Sequence, residues 1–254
     1  MKNTQPLQLN CRQNSQDLIA DIRGLVLLHQ ELGIDGYPAT AGLLRFLKPS
    51  RAAISHDITN TLADVEDQIK DCRRCSRHLD RQRIIFGQGN PHPHLLLIGQ
   101  APGPEEERRG LPYQGEAGVL LDRMLTAIKL SREQIYLTTL VKCARPSQPV
   151  VDGPEGSMAP TTDEVRECLP FLHQQITTLK PALICTMGPL PAQTLLRRRQ
   201  SLIRLRGKFH DFQGVPLMPT FSPDYLLVNQ EMKNAAWQDL QMIQKKLQIL
   251  LKDK

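Results

Sequence analysis

Four cysteines carry the most specific chemistry in this chain. Cys72 and Cys75 stand as C-x2-C among basic residues, and Cys143 and Cys168 follow far along the sequence. Four thiolates suit a zinc ion or an iron-sulfur cluster equally well, and a C-x-x-C pair can also serve as a redox dithiol. Two features disfavour the dithiol. Reactive pairs of that kind open a helix beside a strand, whereas Cys72 and Cys75 follow a predicted helix. Disulfides are also disfavoured in the reducing cytosol where the chain is expected to reside. Zinc and iron-sulfur stay open on spacing alone. Cys185 falls inside an apolar run and reads as a small core hydrophobe, and Cys11 reads as incidental.

A second set of residues lies in two loops. The first, GQAPGPEEERRG, joins glycines and prolines, which permit close backbone approach to a ligand, to three carboxylates at Glu105, Glu106 and Glu107. The second is FSPDYLL, with Ser222 and Asp224 ahead of an apolar run. Between them, RRRQSLIRLRGK holds six basic residues and no acidic one. Such a cluster is either a solvated face or a polyanion-binding patch.

The elements that must position these groups alternate between strand and helix. TLADVEDQIKDCRRCSRH reads as a helix that delivers Cys72 and Cys75 at its end. HLLLIGQAPG is a buried strand running into the first loop, the place where open α/β sheets put their active sites. An amphipathic helix, AGVLLDRMLTAIKL, is followed by a strand, QIYLTTLVKC, leading to Cys143. Ala144 to Thr162, rich in Pro, Gly and Ser, reads as a long loop of a functional or mobile kind. VRECLPFLHQQITTLK is a helix carrying Cys168, ALICTMG a third strand, and VPLMPTFSPDYL a fourth strand with the second loop. A helix from EMKNAAWQDLQ onward closes the chain.

The expected fold is therefore three-layer α/β/α around a mostly parallel four-stranded sheet. Residues 61–254 form that domain. Residues 1–60, with helical runs DLIADIRGLVLLHQELGI and ATAGLLRFLK, form an extension that either braces the domain or binds a protein partner.

Composition agrees with a globular protein: of 254 residues, 40% are hydrophobic and 23% charged, which argues against a disordered or fibrous chain. No run of 18 apolar residues is present and MKNTQPLQLN lacks a secretory core, so a cytoplasmic protein with no membrane contact is expected. A net charge of +6 modestly favours a polyanionic partner.

In order along the chain, the C-x2-C pair, IIFGQGNP, LLLIGQAPGPEEERRGLPYQGEAGVLLDRML, IYLTTLVKCARP, ECLPFLHQQITTLKPALICTMG, LRGK and PTFSPDYLLVNQ resemble the family 4 uracil-DNA glycosylases, the cluster-binding branch of that superfamily. The resemblance runs from about Leu62 to Leu247, nearly three quarters of the chain. It implies a uracil-DNA glycosylase-like fold and a [4Fe-4S] cluster held by Cys72, Cys75, Cys143 and Cys168. In the family the cluster is regarded as structural, ordering loops near DNA. The Cys143 to Cys168 loop is longer than in typical members, and the extension lies outside the common core.

The resemblance also implies a reaction: hydrolysis of the N-glycosidic bond of a flipped-out base in single- or double-stranded DNA. That chemistry needs a base pocket, support for positive charge on the sugar, a placed water, and donors for the departing base. Gln100 stands where the family commonly has an acid credited with water placement; its amide can hold a water but cannot act as a base. Glu106 matches an acid implicated in catalysis. Tyr113 matches the aromatic that stacks on the flipped base, and Ala101 and Gly103 line the same pocket. Thr139 replaces the asparagine that reads the base edge, and Ser222 replaces a histidine that donates to the base oxygen. Asp224, two residues on, supplies a carboxylate. Tyr225, Leu226 and Leu227 keep the apolar character of the loop that enters the minor groove. Arg197, Arg198, Arg199, Arg204, Arg206 and Lys208 are expected on backbone phosphates.

Scaffold, thiols and stacking residue match the family while Gln100, Thr139 and Ser222 all depart from it. Two functions follow: a glycosylase with altered specificity or reduced activity, on uracil or another deaminated or modified base, or a catalytically silent iron-sulfur DNA-binding homologue acting as sensor or recruiting subunit. An enzyme of free-nucleotide metabolism on the same scaffold is a third class. A monomer is expected.

Overall fold

The computed structural model of the chain describes residues 61–145 and 159–252. The helices predicted within residues 1–60, Cys11, and most of the loop after Ala144 lie outside them.

The first described helix, α1 (Leu62–Ile69), starts on a reciprocal cap. The Thr61 hydroxyl accepts from the Asp64 amide at 3.2 Å, and Asp64 accepts from the Thr61 amide at 2.7 Å. Val65 and Ile69 are its buried residues, and Cys72 and Cys75 lie just beyond its end. After a two-residue edge strand β1 (Gln88–Gly89), the chain enters β2 (Leu95–Gly99), all five residues of which are buried. A strand covered on both faces needs no alternation, which is why LLLIG reads as a continuous apolar run.

The chain continues through α2 (Pro104–Arg109), α3 (Gly115–Ala127), β3 (Tyr136–Thr139), α4 (Thr162–Leu179) and β4 (Leu183–Met187). Short helices α5 (Pro189–Leu196) and α6 (Leu202–Leu205) precede a hairpin of β5 (His210–Phe212) and β6 (Val215–Thr220), and α7 (Pro223–Val228) and α8 (Lys233–Lys252) end it. The sheet order is β1-β3-β2-β4-β6-β5, in which β3, β2, β4 and β6 are mutually parallel. The four predicted strands are thus present, but the sheet has six: β1 and β5 pair antiparallel at the edges. Strands of two and three residues are too short to leave a periodic apolar signal, so the count of four was an underestimate.

Alternate residues of the sheet feed two cores. Leu95, Leu97, Leu137, Leu183, Cys185 and Met218 pack with Leu121 and Leu125 of α3 and Leu240, Ile243 and Leu247 of α8. Leu96, Ile98, Tyr136, Ile184 and Leu217 pack with Leu172, Ile176 and Leu179 of α4. This is the three-layer arrangement. Among the parallel strands, chain order reverses between β2 and β4, and the crevice beyond their carboxyl ends is where doubly wound sheets bind ligands.

Candidate active site

That crevice is a pocket of about 340 Å³. The loop after β2 supplies Gln100, Ala101, Pro102 and Gly103, with Glu106 from α2 and Tyr113 from the turn before α3. Thr139 comes from the end of β3, and Ser222 and Asp224 from the start of α7. All eight catalytic and base-pocket residues expected from sequence therefore share one cavity. Met187 at the end of β4, Gly188, and Pro189 at the start of α5 also line it and were missed. Their signal was the Gly-Pro step directly following a buried strand.

Both oxygens of Glu106 are engaged by backbone. Oε2 accepts from the Gly103 amide at 3.0 Å and Oε1 from the Gln114 amide at 3.3 Å, so the carboxylate fastens the first loop as a helix cap. Asp224 sits exposed at the mouth, in the first turn of α7, and the atoms crowding it hold its carboxyl above the usual aspartate value. Ser222 caps that helix, its hydroxyl accepting from the Tyr225 amide at 3.4 Å. Thr139 donates its hydroxyl to Val141 O at 2.8 Å, which leaves its oxygen to face the pocket as an acceptor.

Tyr113 is buried, with a left-handed φ of 53° that strains a bulky residue. Burial drives its hydroxyl well above the ordinary tyrosine pKa, with Asp224, Cys185 and Glu106 adding to the effect. Two things hold the residue there. Arg132 donates to Pro112 O at 3.1 Å, Tyr113 O at 2.8 Å and Gly118 O at 3.2 Å while pairing with Asp122 at 2.5 Å. Gly99 supplies the space, since a Cβ there would fall 2.0 Å from the Tyr113 hydroxyl oxygen.

The four thiols of the predicted cluster lie on three separate segments. Cys72 and Cys75 follow α1, Cys143 bridges to Ile84 after β3, and Cys168 is in α4. Burial pushes the Cys143 thiol up to about 11 and Cys168 in the same direction. Cys168 and Cys75 add to the rise at Cys143, and Cys75 and Cys72 to that at Cys168. Among the described residues, no group of three or more His, Cys, Asp or Glu forms a site for a metal ion.

The surroundings are cationic. Arg81 donates to Cys72 O at 2.6 Å and to Cys143 Sγ at 3.5 Å, and Arg77 donates to Cys143 O at 2.7 Å. Arg77 Nη2 also pairs with Glu164 Oε2 at 3.1 Å, while its Nε is buried without a hydrogen-bond acceptor. Burial pushes the Glu164 carboxyl up, but Arg145, the Thr161 amide and Arg77 outweigh it and hold it below the usual value. Arg77 and Arg81 thus lie on the backbone and one sulfur of the thiol-bearing segments, a setting that suits thiolate charge.

Comparison with known proteins agrees with this architecture. The family model of the uracil DNA glycosylase superfamily matches residues 86–241. The chain is 31% identical over 181 residues to the type-4 uracil-DNA glycosylase of Thermotoga maritima, covering 70% of this chain and 90% of that protein. It is 30% identical over 192 residues to the type-4 enzyme of Saccharolobus solfataricus, covering 72% and 85%. For the type-4 enzyme of Pyrobaculum aerophilum the identity is 31% over 191 residues, covering 71% and 92%. This chain belongs to the type-4 uracil-DNA glycosylases.

Within that family's frame, two residues of the expected DNA-facing set turn inward. Leu226 is 1% exposed and packs with Phe221, Leu202 and Leu205 in the core beneath α7. Arg206 makes a bidentate pair with Asp239 at 2.9 Å and donates to Ala235 O, so it anchors α8 and has no free fork for a phosphate. The outward apolar side of α7 is instead Tyr225, Leu227 and Val228, the last 83% exposed and absent from the expected set. Arg197, Arg198, Arg199, Arg204 and Lys208 are all exposed. Among the described residues, no helix is long and apolar enough to cross a membrane.

Proposed function

We propose that this chain is a DNA glycosylase of base excision repair whose base selection differs from uracil-only readout. The observation that carries the proposal is the make-up of the pocket: it holds an aromatic ring and a loop of small residues, its reading and donating positions are Thr139, Gln100 and Ser222, and the carboxylate at its mouth is Asp224.

A nucleotide turned out of DNA places its base on the Tyr113 ring, with the backbone of Gln100 to Gly103 against it. Thr139 meets the base edge with one oxygen in place of an amide, which relaxes discrimination between bases. As the C1′–N bond breaks, its electron pair leaves with the base, and the Ser222 hydroxyl and nearby amides donate to the negative charge that develops there. The Asp224 carboxylate faces the positive charge on the sugar. The Gln100 amide orients a water whose oxygen bonds to C1′, and its proton passes to Asp224 and onward to the departed base.

The [4Fe-4S] cluster belongs to the same proposal, on Cys72, Cys75, Cys143 and Cys168. When bound it supplies a cross-link among three distant segments rather than electrons for the reaction. Exposed Arg197, Arg198, Arg199, Arg204 and Lys208 contact phosphates, with Tyr225, Leu227 and Val228 as the apolar wedge. A cytoplasmic protein acting on chromosomal DNA accords with both.

The deciding experiment measures base release from single- and double-stranded oligonucleotides carrying uracil, hypoxanthine, xanthine or a normal base, anaerobically with the iron content verified. Release of a damaged base other than uracil, alone or beside it, is the expected result. Release of uracil alone would remove the altered specificity. Tight binding without release from any substrate would instead establish the silent DNA-binding homologue, a reading favoured by the full engagement of Glu106 in capping.

A further inference from the structure

Asp239 lies in α8 with no exposed surface, and the chemistry proposed above makes no use of it. Its two oxygens take four donors. Oδ1 accepts from Arg206 Nη2 at 2.9 Å and from the Gly207 amide at 3.1 Å, and Oδ2 accepts from Arg206 Nε at 2.9 Å and from the Thr220 hydroxyl at 2.7 Å. A carboxylate offers about four acceptor sites, so this one is filled. The donors come from two segments remote in sequence from α8 and from each other. Arg206 and Gly207 stand in the basic run beside Lys208, while Thr220 ends β6, two residues before Ser222. Apolar side chains often stabilise such a place as well as a buried ion pair does, so what the pair adds is direction.

We propose that Asp239 is a positioning residue for the reaction: from α8 it sets the second loop and the apolar wedge relative to the basic segment. The inference rests on the reading of that loop as the donating one. Three links carry the effect. Thr220, fixed at its hydroxyl by Asp239, accepts the Gly188 amide at its carbonyl at 2.8 Å, so a pocket residue and the strand end leading to Ser222 and Asp224 are set together. The Arg206 guanidinium, oriented by its two bonds to the carboxylate, lies with its Cζ 5.5 Å from the centroid of the Phe221 ring. Phe221 in turn stacks on Tyr225, centroids 5.2 Å apart and planes 11° from parallel, which seats the first residue of the wedge. The Gly207 amide ties the backbone just before Lys208 to the same carboxylate. The base of this arrangement is stiff, because Ala236, Leu240, Ile243 and Leu247 of α8 are buried in the cores. Phosphate contacts place the sugar and the loop places the donor, and a misplacement of about 1 Å between such groups can cost about 10² in rate.

The test uses anaerobically purified full-length protein and single-turnover base release from duplexes carrying uracil, hypoxanthine or xanthine. Enzyme concentration is varied so that the maximal rate and the half-saturating concentration are read separately, with Tm measured alongside. Thr220→Val removes one hydroxyl and keeps the shape of the side chain; a maximal rate lower by about tenfold with half-saturation unchanged is expected. Asp239→Asn should lose at least as much, and the double variant no more than Asp239→Asn alone, since both act through one carboxylate. If Asp239→Asn does not fold, the split between rate and half-saturation in Thr220→Val decides. Maximal rates in the variants equal to that of an active wild type would overturn the role of Asp239 alone. So would a loss that appears only in half-saturation, a fully additive loss in the double variant, or a loss that disappears at a temperature where the variants are fully folded, which would reduce the group to a packing contact. A wild type that releases no base would overturn the reading of the loop and this proposal together.

Discussion

The assignment of the reaction's carboxylate to Asp224 rather than Glu106 makes opposite forecasts for two conservative substitutions. Asp224→Asn keeps size and polarity but removes the negative charge and the proton acceptor. A positioned general base contributes about 10² to 10⁴ in rate, or roughly 2.7 to 5.4 kcal/mol at about 1.36 kcal/mol per tenfold. Asp224 sits at the mouth of the pocket, open to water on one side, so solvent weakens its effect and the lower end applies. A loss of about 10² in single-turnover base release is expected, with DNA affinity unchanged. Glu106→Gln retains one acceptor oxygen but gives up one of two backbone partners, so about 1 kcal/mol of stability and only a few-fold in rate are expected from it.

The pH profile separates charge from shape. Crowding raises the pKa of Asp224, and the ionised form is the active one, so base release declines as pH falls through a value above that of an ordinary aspartate. The Asn variant should be slow and should lack that acid limb. The assay is quench-flow release from whichever substrate proves cleavable, across the pH range in which the cluster is intact. If Asp224→Asn retains activity within about threefold while Glu106→Gln is dead, the reasoning fails, because the capped carboxylate would then be the reacting one.

Three further outcomes follow from the same geometry. Gly99→Ala places a methyl 2.0 Å from the Tyr113 hydroxyl oxygen and 2.9 Å from its ring Cζ, so the ring must leave its seat; base release should fall by at least tenfold with DNA affinity retained, and unchanged release would show that the seat is not required. Arg132→Met removes the donors holding Pro112, Tyr113 and Gly118 carbonyls, and is expected to lower Tm and raise KM more than it lowers kcat, a split visible in steady-state kinetics. Replacing Arg197, Arg198 and Arg199 together with Gln should flatten the dependence of log affinity on log salt by about 0.9 per lost phosphate contact, so by up to roughly 2.7 in a fluorescence-anisotropy titration; an unchanged slope would mark the segment as a solvated face.

Much of the site was legible because catalytic loops in this architecture follow buried strands, and the ends of those strands are marked by glycine and proline. LLLIGQAPG and TFSPD each announce both the strand and the loop. What could not be read was direction. Nothing in EEE distinguishes a reacting carboxylate from a cap, although Glu106 stands three residues after Gly103, the offset at which a side chain reaches back to a helix start. Arg206 sat in a basic run and looked available to phosphate; its partner Asp239 is 33 residues away on α8, a separation at which charge pattern is silent. Arg132 likewise clamps Tyr113 from a segment 19 residues downstream, with no motif to connect them. Leu226 and Val228 are two residues apart on a short helix, and only the packing of Phe221 beneath it decides which one faces out.

The segment from Thr139 to Cys143 explains why the thiols and the pocket coexist in one fold. Beyond the end of β3 the chain does not turn away; Leu140 and Val141 donate their amides to Gly99 O at 2.8 Å and Gln100 O at 3.0 Å. The carbonyl of Gln100 and the backbone beside the Tyr113 seat are therefore held by residues immediately preceding Cys143. Directly before Cys143, the Lys142 carbonyl accepts from the Ile85 amide at 2.8 Å, which draws in the segment ahead of β1. A pocket whose chemistry depends on loops needs those loops fixed to something stiffer than themselves. The central strands provide one end of that support, and the thiol-bearing segments, joined through five consecutive residues, provide the other. Gln100, Thr139 and Ser222 present side chains that project from this frame, so exchanging any of them leaves the backbone that builds it untouched.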